Sequence, residues 1–246
     1  MAIKIQPRDL QIMRFAFTYR VVTYSQIHRK FFAKNHDSAS RNRINLLCKH
    51  GYIKSMGNDS NGRLHKCVRP TEKSWDVIAK SWGYDVDRPH FQSESVEHDF
   101  RLAEVSLKFE RLTLFRSLVT ENLLQSSSYL ASHPHYRDLV NLQSDAVLSL
   151  KDSDGAEFLY AIELEVSKKS PDRYHQKLSA YYKAGGIDGV IYVCGSQEIT
   201  DTIARIDRDV RTNESSVVYL GLEDDVLKNN QKLIFKASDG AGIGLF

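Results

Sequence analysis

Two apolar runs on either side of a tight turn limit the possible folds more than any other feature of this 246-residue chain. The first run, AVLSL, opens at Asp145-Ala146. The turn is Asp152-Ser153-Asp154-Gly155, and the second run, FLYAIELEV, follows it. Apolar runs of this length around an Asp-Gly turn predict an antiparallel hairpin. Before it, ESVEHDFRLAEVSLKFERL places Val96, Phe100, Ala103 and Leu107 on one stripe and predicts a helix over 94–112. Leu114–Thr120 reads as a strand ending at Glu121, followed by a polar loop with three serines and then Tyr136–Leu142. After the hairpin, PDRYHQKLSAYYK predicts a helix, GVIYVC a buried strand, EITDTIARIDRDVR a helix and SSVVYLGL a last strand. That order predicts an α/β domain with a mixed sheet over residues 92–246.

The hairpin carries an oddity. Glu163 and Glu165 sit two apart in an otherwise apolar strand, so they share one face. Acids in such a strand are costly unless they are paired or bound to a cation. A register closed at the Asp-Gly turn brings Asp145 beside them. Three converging carboxylates make a hard-oxygen pocket suited to Mg2+ or Mn2+. Glu104, at the edge of the helical stripe, or Glu121, just before the polar loop, could complete the shell. Lys168, Lys169 and Lys177 are close enough in sequence to supply a positive charge. Tyr174, Tyr181 and Tyr182 could be nucleophiles, as in tyrosine-based nickases, but three tyrosines on an amphipathic helix are more often packing residues.

The first third of the chain has a different character. Residues 1–85 hold 16 Lys and Arg against 6 Asp and Glu, a charge of +10, which leaves −7 for the remainder of a chain whose total is +3. So basic a segment suggests a polyanion partner, because neutralising phosphates releases counterions. PRDLQIMRFAFTYRVV predicts a helix over 7–22, with Pro7 in its first turn and Leu10, Met13, Phe17 and Val21 at helical spacing. Thr23 caps a short second helix over 24–32, and Asp37 or Ser38 caps a third, SASRNRINLLCKHGYI, which Gly51 ends in a left-handed turn. Ile44, Leu47 and Cys48 face inward on that helix. Ser40, Arg41, Asn42, Arg43, Asn45 and Lys49 are the side-chain types that reach phosphates and base edges from a major groove. Two short runs, Tyr52–Lys54 and Arg63–Val68, flank the Gly/Asn-rich turn 57–62 and predict a hairpin whose Arg63 and Lys66 would follow the backbone. Thr71 then caps a further helix. The boundary between the two halves falls at 83–92, where periodicity breaks and the charge changes sign.

Other classes recede. No stretch reaches the roughly 20 apolar residues of a membrane span, and MAIKIQPRDL has neither an apolar core nor a cleavage site. Cys48, Cys67 and Cys194 form no CxxC pair, which argues against a zinc site and for a reduced, cytoplasmic setting. Neither GxxxxGK[ST] nor GxGxxG occurs.

The string LLCKHGYIKS…RLHKCVRPTEKSWDVIA resembles the winged helix-turn-helix superfamily. SDAV, followed by ELE on the next strand, resembles the PD-(D/E)XK nuclease superfamily, with Ser144 where proline is usual and Glu165 where lysine is expected. Together with EHDFRLAEV and QKLSAYYK, these strings resemble the replication-relaxation family of plasmids and mobile elements, itself similar to restriction-enzyme-like mobilisation relaxases. The resemblance implies a winged helix joined to a restriction-endonuclease-like mixed-sheet domain. It implies a Mg2+- or Mn2+-dependent endonuclease or nickase acting on double-stranded DNA with other mobilisation or replication proteins. Asp145, Glu163 and Glu165 would be its acids, with Glu104 or Glu121 beside them and Lys177 or Lys168 as the displaced lysine. A homodimer follows by analogy with winged-helix readers of palindromes. Glu165 in the lysine position favours a second reading, a non-catalytic regulator or accessory factor whose degenerate nuclease fold serves dimerisation or partner contact.

Overall fold

Helix α1 (Pro7–Tyr19) begins on a proline and ends at Arg20, whose φ of 59° turns the chain out of the helix. The β-branched run that follows is extended. Val22–Thr23 form strand β1, so the helix expected to reach residue 22 stops three residues short. Thr23 then caps α2 (Tyr24–Phe31), accepting the Gln26 N–H at 3.1 Å while the Gln26 side chain accepts the Thr23 N–H. Helix α3 (Asp37–Lys49) is capped one residue earlier than expected, by His36, whose Nδ1 accepts the Ser38 N–H. Gly51 follows with a φ of +75°, the left-handed turn its sequence position predicts. Strands β2 (Ile53–Met56) and β3 (Cys67–Pro70) pair antiparallel, and β1 adds to β3 on its other side, giving the order β1-β3-β2. Thr71 caps α4 (Glu72–Ile78), which runs into a 3-10 turn at Ala79–Ser81. Phe17, Ile27, Ile44, Leu47 and Val68 fill the interior of this unit.

The structure, a computed structural model, describes residues 3–56, 66–81, 86–87, 89–91, 93, 95–134, 136–211, 216–229 and 232–246. The expected turn at 57–62, together with Arg63, lies outside the described residues. The chain is a mixed α/β protein that divides into two compact units, Met1–Ala103 with Gln125–Tyr129, and Glu104–Leu124 with Leu130–Phe246.

Helix α5 (Val96–Phe109) supplies residues to both units. Strand β4 (Phe115–Thr120) leads into α6 (Glu121–Ser126), which with α7 (Ser128–Ser132) occupies the region expected as a polar loop, and α8 (Arg137–Asn141) forms within the Tyr136–Leu142 run. Strands β5 (Ala146–Lys151) and β6 (Glu157–Glu165) form the expected hairpin, with Ala146 opposite Ile162 and Gly155 at a φ of +89° in the turn. Helix α9 (Pro171–Lys183), strand β7 (Gly189–Cys194) and helix α10 (Gln197–Val210) follow as predicted. Strand β8 (Val218–Leu222) is not the last: α11 (Glu223–Lys228) and the antiparallel pair β9 (Leu233–Ala237) and β10 (Gly242–Leu245) come after it. Glycine at 240, 242 and 244 weakened the strand signal there.

The seven strands form one mixed sheet in the order β10-β9-β8-β7-β6-β5-β4. Only β6, β7 and β8 run parallel to one another, joined by the crossover helices α9 and α10. Strand β7 lies at the centre and is buried along its whole length. Each fully buried aliphatic side chain there contributes about 1.5–3 kcal/mol. In the registers of β5, β6 and β7, Val147, Ala161, Glu163, Glu165, Tyr192 and Cys194 lie on one face. Helix α9 covers that face, since its Lys177 and Tyr181 bond to Glu163.

Candidate functional site

The hairpin register brings two of the three expected carboxylates, Asp145 and Glu163, together, while Glu165 does not join them in a three-acid cluster among the described residues. Asp145 stands one residue before β5, opposite Glu163 and Leu164, and its Oδ2 accepts the Leu164 N–H at 2.7 Å. Glu163 is 2% exposed. Its Oε2 accepts from Lys177 Nζ at 2.7 Å, and its Oε1 accepts from the Tyr181 hydroxyl. Tyr181 spends its only proton on Glu163, so the Ser144 hydroxyl, 2.7 Å away, donates to Tyr181. Ser144 is fully buried and supports the acid from behind. Lys177 also reaches the Gln143 carbonyl at 3.4 Å.

Burial pushes the Glu163 carboxyl up to about 8, against the pull of Lys177, and the negative Asp145 adds to the rise. Glu165, 8% exposed, is raised by burial and by Asp145, while Lys169 opposes the shift. Burial works against the charge on Lys177, yet the neighbouring Glu163 outweighs it and holds the ammonium above its ordinary range. Tyr192 is fully buried beside these acids. Its hydroxyl titrates well above its usual value because of burial and the charges of Glu163, Glu165 and Asp145. Among the described residues that hydroxyl has no hydrogen-bond partner.

Other candidates fall at different distances from this centre. The Glu121 N–H donates to the Asp145 carbonyl at 2.8 Å, which sets the start of α6 against the start of β5. Glu104 is half-buried on α5. Lys168 turns away, pairing with Glu198 at 2.7 Å, so Lys177 is the lysine that reaches the acids. The tyrosines of α9 do more than pack. Tyr181 holds Glu163, the Tyr174 hydroxyl accepts the Lys169 N–H at 3.1 Å, and Tyr182 donates to the buried Asp207 at 2.6 Å. Sequence reasoning missed Tyr181, although its four-residue spacing from Lys177 puts the two on one helical face.

Among the described residues no three His, Cys, Asp or Glu side chains converge as a ready-made metal cage. Mg2+ asks for less than that. It is held through one or two carboxylates and keeps waters and substrate phosphates for its remaining positions. Asp145 and Glu163, acids from neighbouring strands with an orphaned buried hydroxyl beside them, fit that demand. A recess of 570 Å³ in this unit lies instead at the far end of the same strands, bordered by Ser149, Leu159 and Asp188.

In the first unit, α3 presents Arg41, Asn42, Asn45 and Lys49 as an exposed stripe at helical spacing. Arg41 pairs with Asp37 at 2.5 Å, an exposed i,i+4 pair of the weak kind that a phosphate can displace. Asn45 accepts from the Tyr24 hydroxyl at 3.1 Å, and Lys66 is exposed beside β3. Two expected contacts point elsewhere. Ser40 is fully buried, donates to the Asp37 carbonyl at 2.8 Å and bonds His28. Arg43 turns inward onto the buried carboxylate of Asp9, with Nε at 2.8 Å from Oδ1, and onto the Lys4 carbonyl. Both follow from the helical period, which puts 40 and 43 with Ile44 and Leu47 rather than with 41, 42, 45 and 49.

Comparison with protein-family models, with curated proteins and with solved structures finds no match. Among the described residues no helix is long and apolar enough to cross a membrane.

Proposed function

We propose that the chain binds duplex DNA through its first unit and cleaves a DNA strand with its second, in a divalent-metal-dependent reaction. The reading of the first unit as a winged helix draws on its element order, three helices and a three-stranded antiparallel sheet with β2 and β3 in line after α3. The exposed stripe of α3 would enter the major groove. The reading of the second unit as a PD-(D/E)XK-type nuclease rests on one observation above the rest: Asp145, Glu163 and Lys177, from three different elements, meet at one place in the sheet. The replication-relaxation resemblance adds a setting, the nicking of mobile DNA during replication or transfer.

Asp145 and Glu163 would hold Mg2+ or Mn2+, with Glu104 or Glu121 completing the shell. Bound there, the cation supplies an activated water and neutralises charge on the scissile phosphate. The Leu164 N–H fixes one oxygen of Asp145. Tyr181, backed by Ser144, fixes the plane of the Glu163 carboxyl. Lys177 brings a positive charge that can move from Glu163 to a phosphate oxygen. Glu165 stands where lysine is usual, and the Lys177 ammonium takes over that charge from the neighbouring helix.

The test is incubation of supercoiled plasmid with the intact chain and Mg2+ or Mn2+. Nicking that a chelator abolishes and Asp145→Ala removes, with duplex binding retained, is expected. Shifted but uncut DNA overturns the catalytic reading. It would leave the non-catalytic regulator, which the closed Glu163–Lys177–Tyr181 arrangement also favours.

A further inference from the structure

The strands β2 and β3 set two cations face to face. Lys54 and Arg69 are register partners in the antiparallel pair, which places their side chains on the same face of the sheet. Like charges directly opposite across two strands are destabilising. Neither side chain has an ion pair or hydrogen bond to any described residue. Both line a recess of 650 Å³, open to solvent, that Lys73 and His90 also border.

The recess is a constructed surface. Pro70 and Pro89 form apolar walls beside Phe91, whose ring is held edge-on at 5.8 Å by the buried Phe17. Lys73 donates to the His50 carbonyl at 2.8 Å and lies 4.6 Å over the Tyr52 ring, so its contacts are to neutral groups and its charge stays uncompensated. Glu72 is the one acid on the rim among the described residues, so Lys54, Arg69 and Lys73 leave an excess of two positive charges over it. The recess also begins where α3 ends, because Lys73 bonds the helix's C-cap and the Thr71 hydroxyl bonds the Gly51 and Tyr52 carbonyls at 2.8 and 2.9 Å.

We propose that the Lys54–Arg69 recess is a second phosphate-binding surface, which takes the sugar-phosphate backbone of the duplex alongside the stretch that α3 reads. This rests on the DNA-binding reading and extends it. An anion between Lys54 and Arg69 turns an unfavourable cross-strand pair into a two-pronged clamp, and the shallow open form suits a passing backbone better than an enclosed small ligand. The +10 charge of residues 1–85 favours a polyanion over a lone anion.

The experiment measures duplex affinity against salt for the intact chain and for Lys54→Gln/Arg69→Gln. Losing two phosphate contacts lowers the slope of log affinity against log salt by about 2, so the affinity gap between the two proteins narrows about tenfold between about 50 and 200 mM salt. Asn42→Ala/Asn45→Ala, on the α3 stripe, should leave the slope unchanged while relaxing sequence discrimination. Thermal unfolding checks the fold, and the Lys54→Gln/Arg69→Gln chain should be no less stable than the parent because the like-charge opposition is gone. Parent binding with an unchanged slope in that variant overturns the clamp and leaves the α3 reading standing. No duplex binding by the parent overturns both. Titration with pyrophosphate forms the second arm. Resonances of Lys54 and Arg69 that move with pyrophosphate but not with duplex would assign the recess to free phosphate compounds and overturn the backbone assignment.

Discussion

Two buried carboxylates held by a cation, Asp9 by Arg43 in the first unit and Glu163 by Lys177 in the second, are built differently. In the first unit Asp9 is fully buried and fully used. Arg43 meets both of its oxygens, and the Gln6 N–H adds a third bond at 2.7 Å, where the acid also caps α1. In the second unit Glu163 is almost as buried, yet Asp145 crowds it, a lysine rather than an arginine holds it, and nearby stands a tyrosine hydroxyl, that of Tyr192, with no hydrogen-bond partner among the described residues. The first is a closed structural clamp, since a planar guanidinium fork matches a carboxylate and leaves nothing over. The second has like charges in excess and a point-charge cation that can be given up. Crowding of acids, more than burial, sets the second pair apart as the functional-site candidate.

Four substitutions test that contrast. Asp145→Ala should have the largest effect, lowering Mg2+-dependent plasmid nicking more than about a thousandfold while duplex affinity is unchanged. Nicking at the parent rate would remove the second pair from catalysis. Arg43→Ala should cost about 3 kcal/mol in urea unfolding, because it leaves Asp9 as an uncompensated buried charge. Lys177→Met should cost less, about 1–2 kcal/mol near pH 6, because the raised Glu163 carboxyl can take up a proton and stay neutral. If the lysine variant loses as much as the arginine variant, the two pairs are alike and the contrast fails. Ser144→Ala should cost about 1 kcal/mol, the worth of one buried donor to Tyr181.

The same contrast has a pH signature. Glu163 titrates near 8 when folded against 4.5 for a free carboxyl, so the folded chain holds the proton that the unfolded chain loses. Stability from this group is fully present below about 4.5 and declines as pH rises through about 8. Glu163→Gln removes that titration, so the parent should lose stability relative to the variant between about pH 5 and pH 8. A constant difference across that window would place the Glu163 proton elsewhere.

Much of the candidate site was readable in the sequence because it is local to one hairpin. The alternation of FLYAIELEV put Glu163 and Glu165 on one face, and the Asp-Gly turn set the register that brings Asp145 to them. The periodicity of PDRYHQKLSAYYK placed α9 at its observed bounds. What escaped depends on distant partners or weak local signals. Arg43 looked like a groove contact until Asp9, 34 positions earlier, claimed it. Ser40 was read as exposed from its chemistry, although its helical position buries it. Strand β1 is two residues long and exists through its pairing with β3. The glycines that flank β10 hid the end of the sheet.

If Asp145 and Glu163 form a cation site from which Lys177 can withdraw, Mn2+ must bind in competition with the proton on Glu163. Calorimetric titration of Mn2+ into the intact chain at pH 6 and pH 8 should therefore show tighter binding at pH 8, with proton release as Glu163 ionises, and no signal in Asp145→Ala. Absence of binding at either pH, or equal binding by the Asp145→Ala chain, would mean that these acids hold no cation.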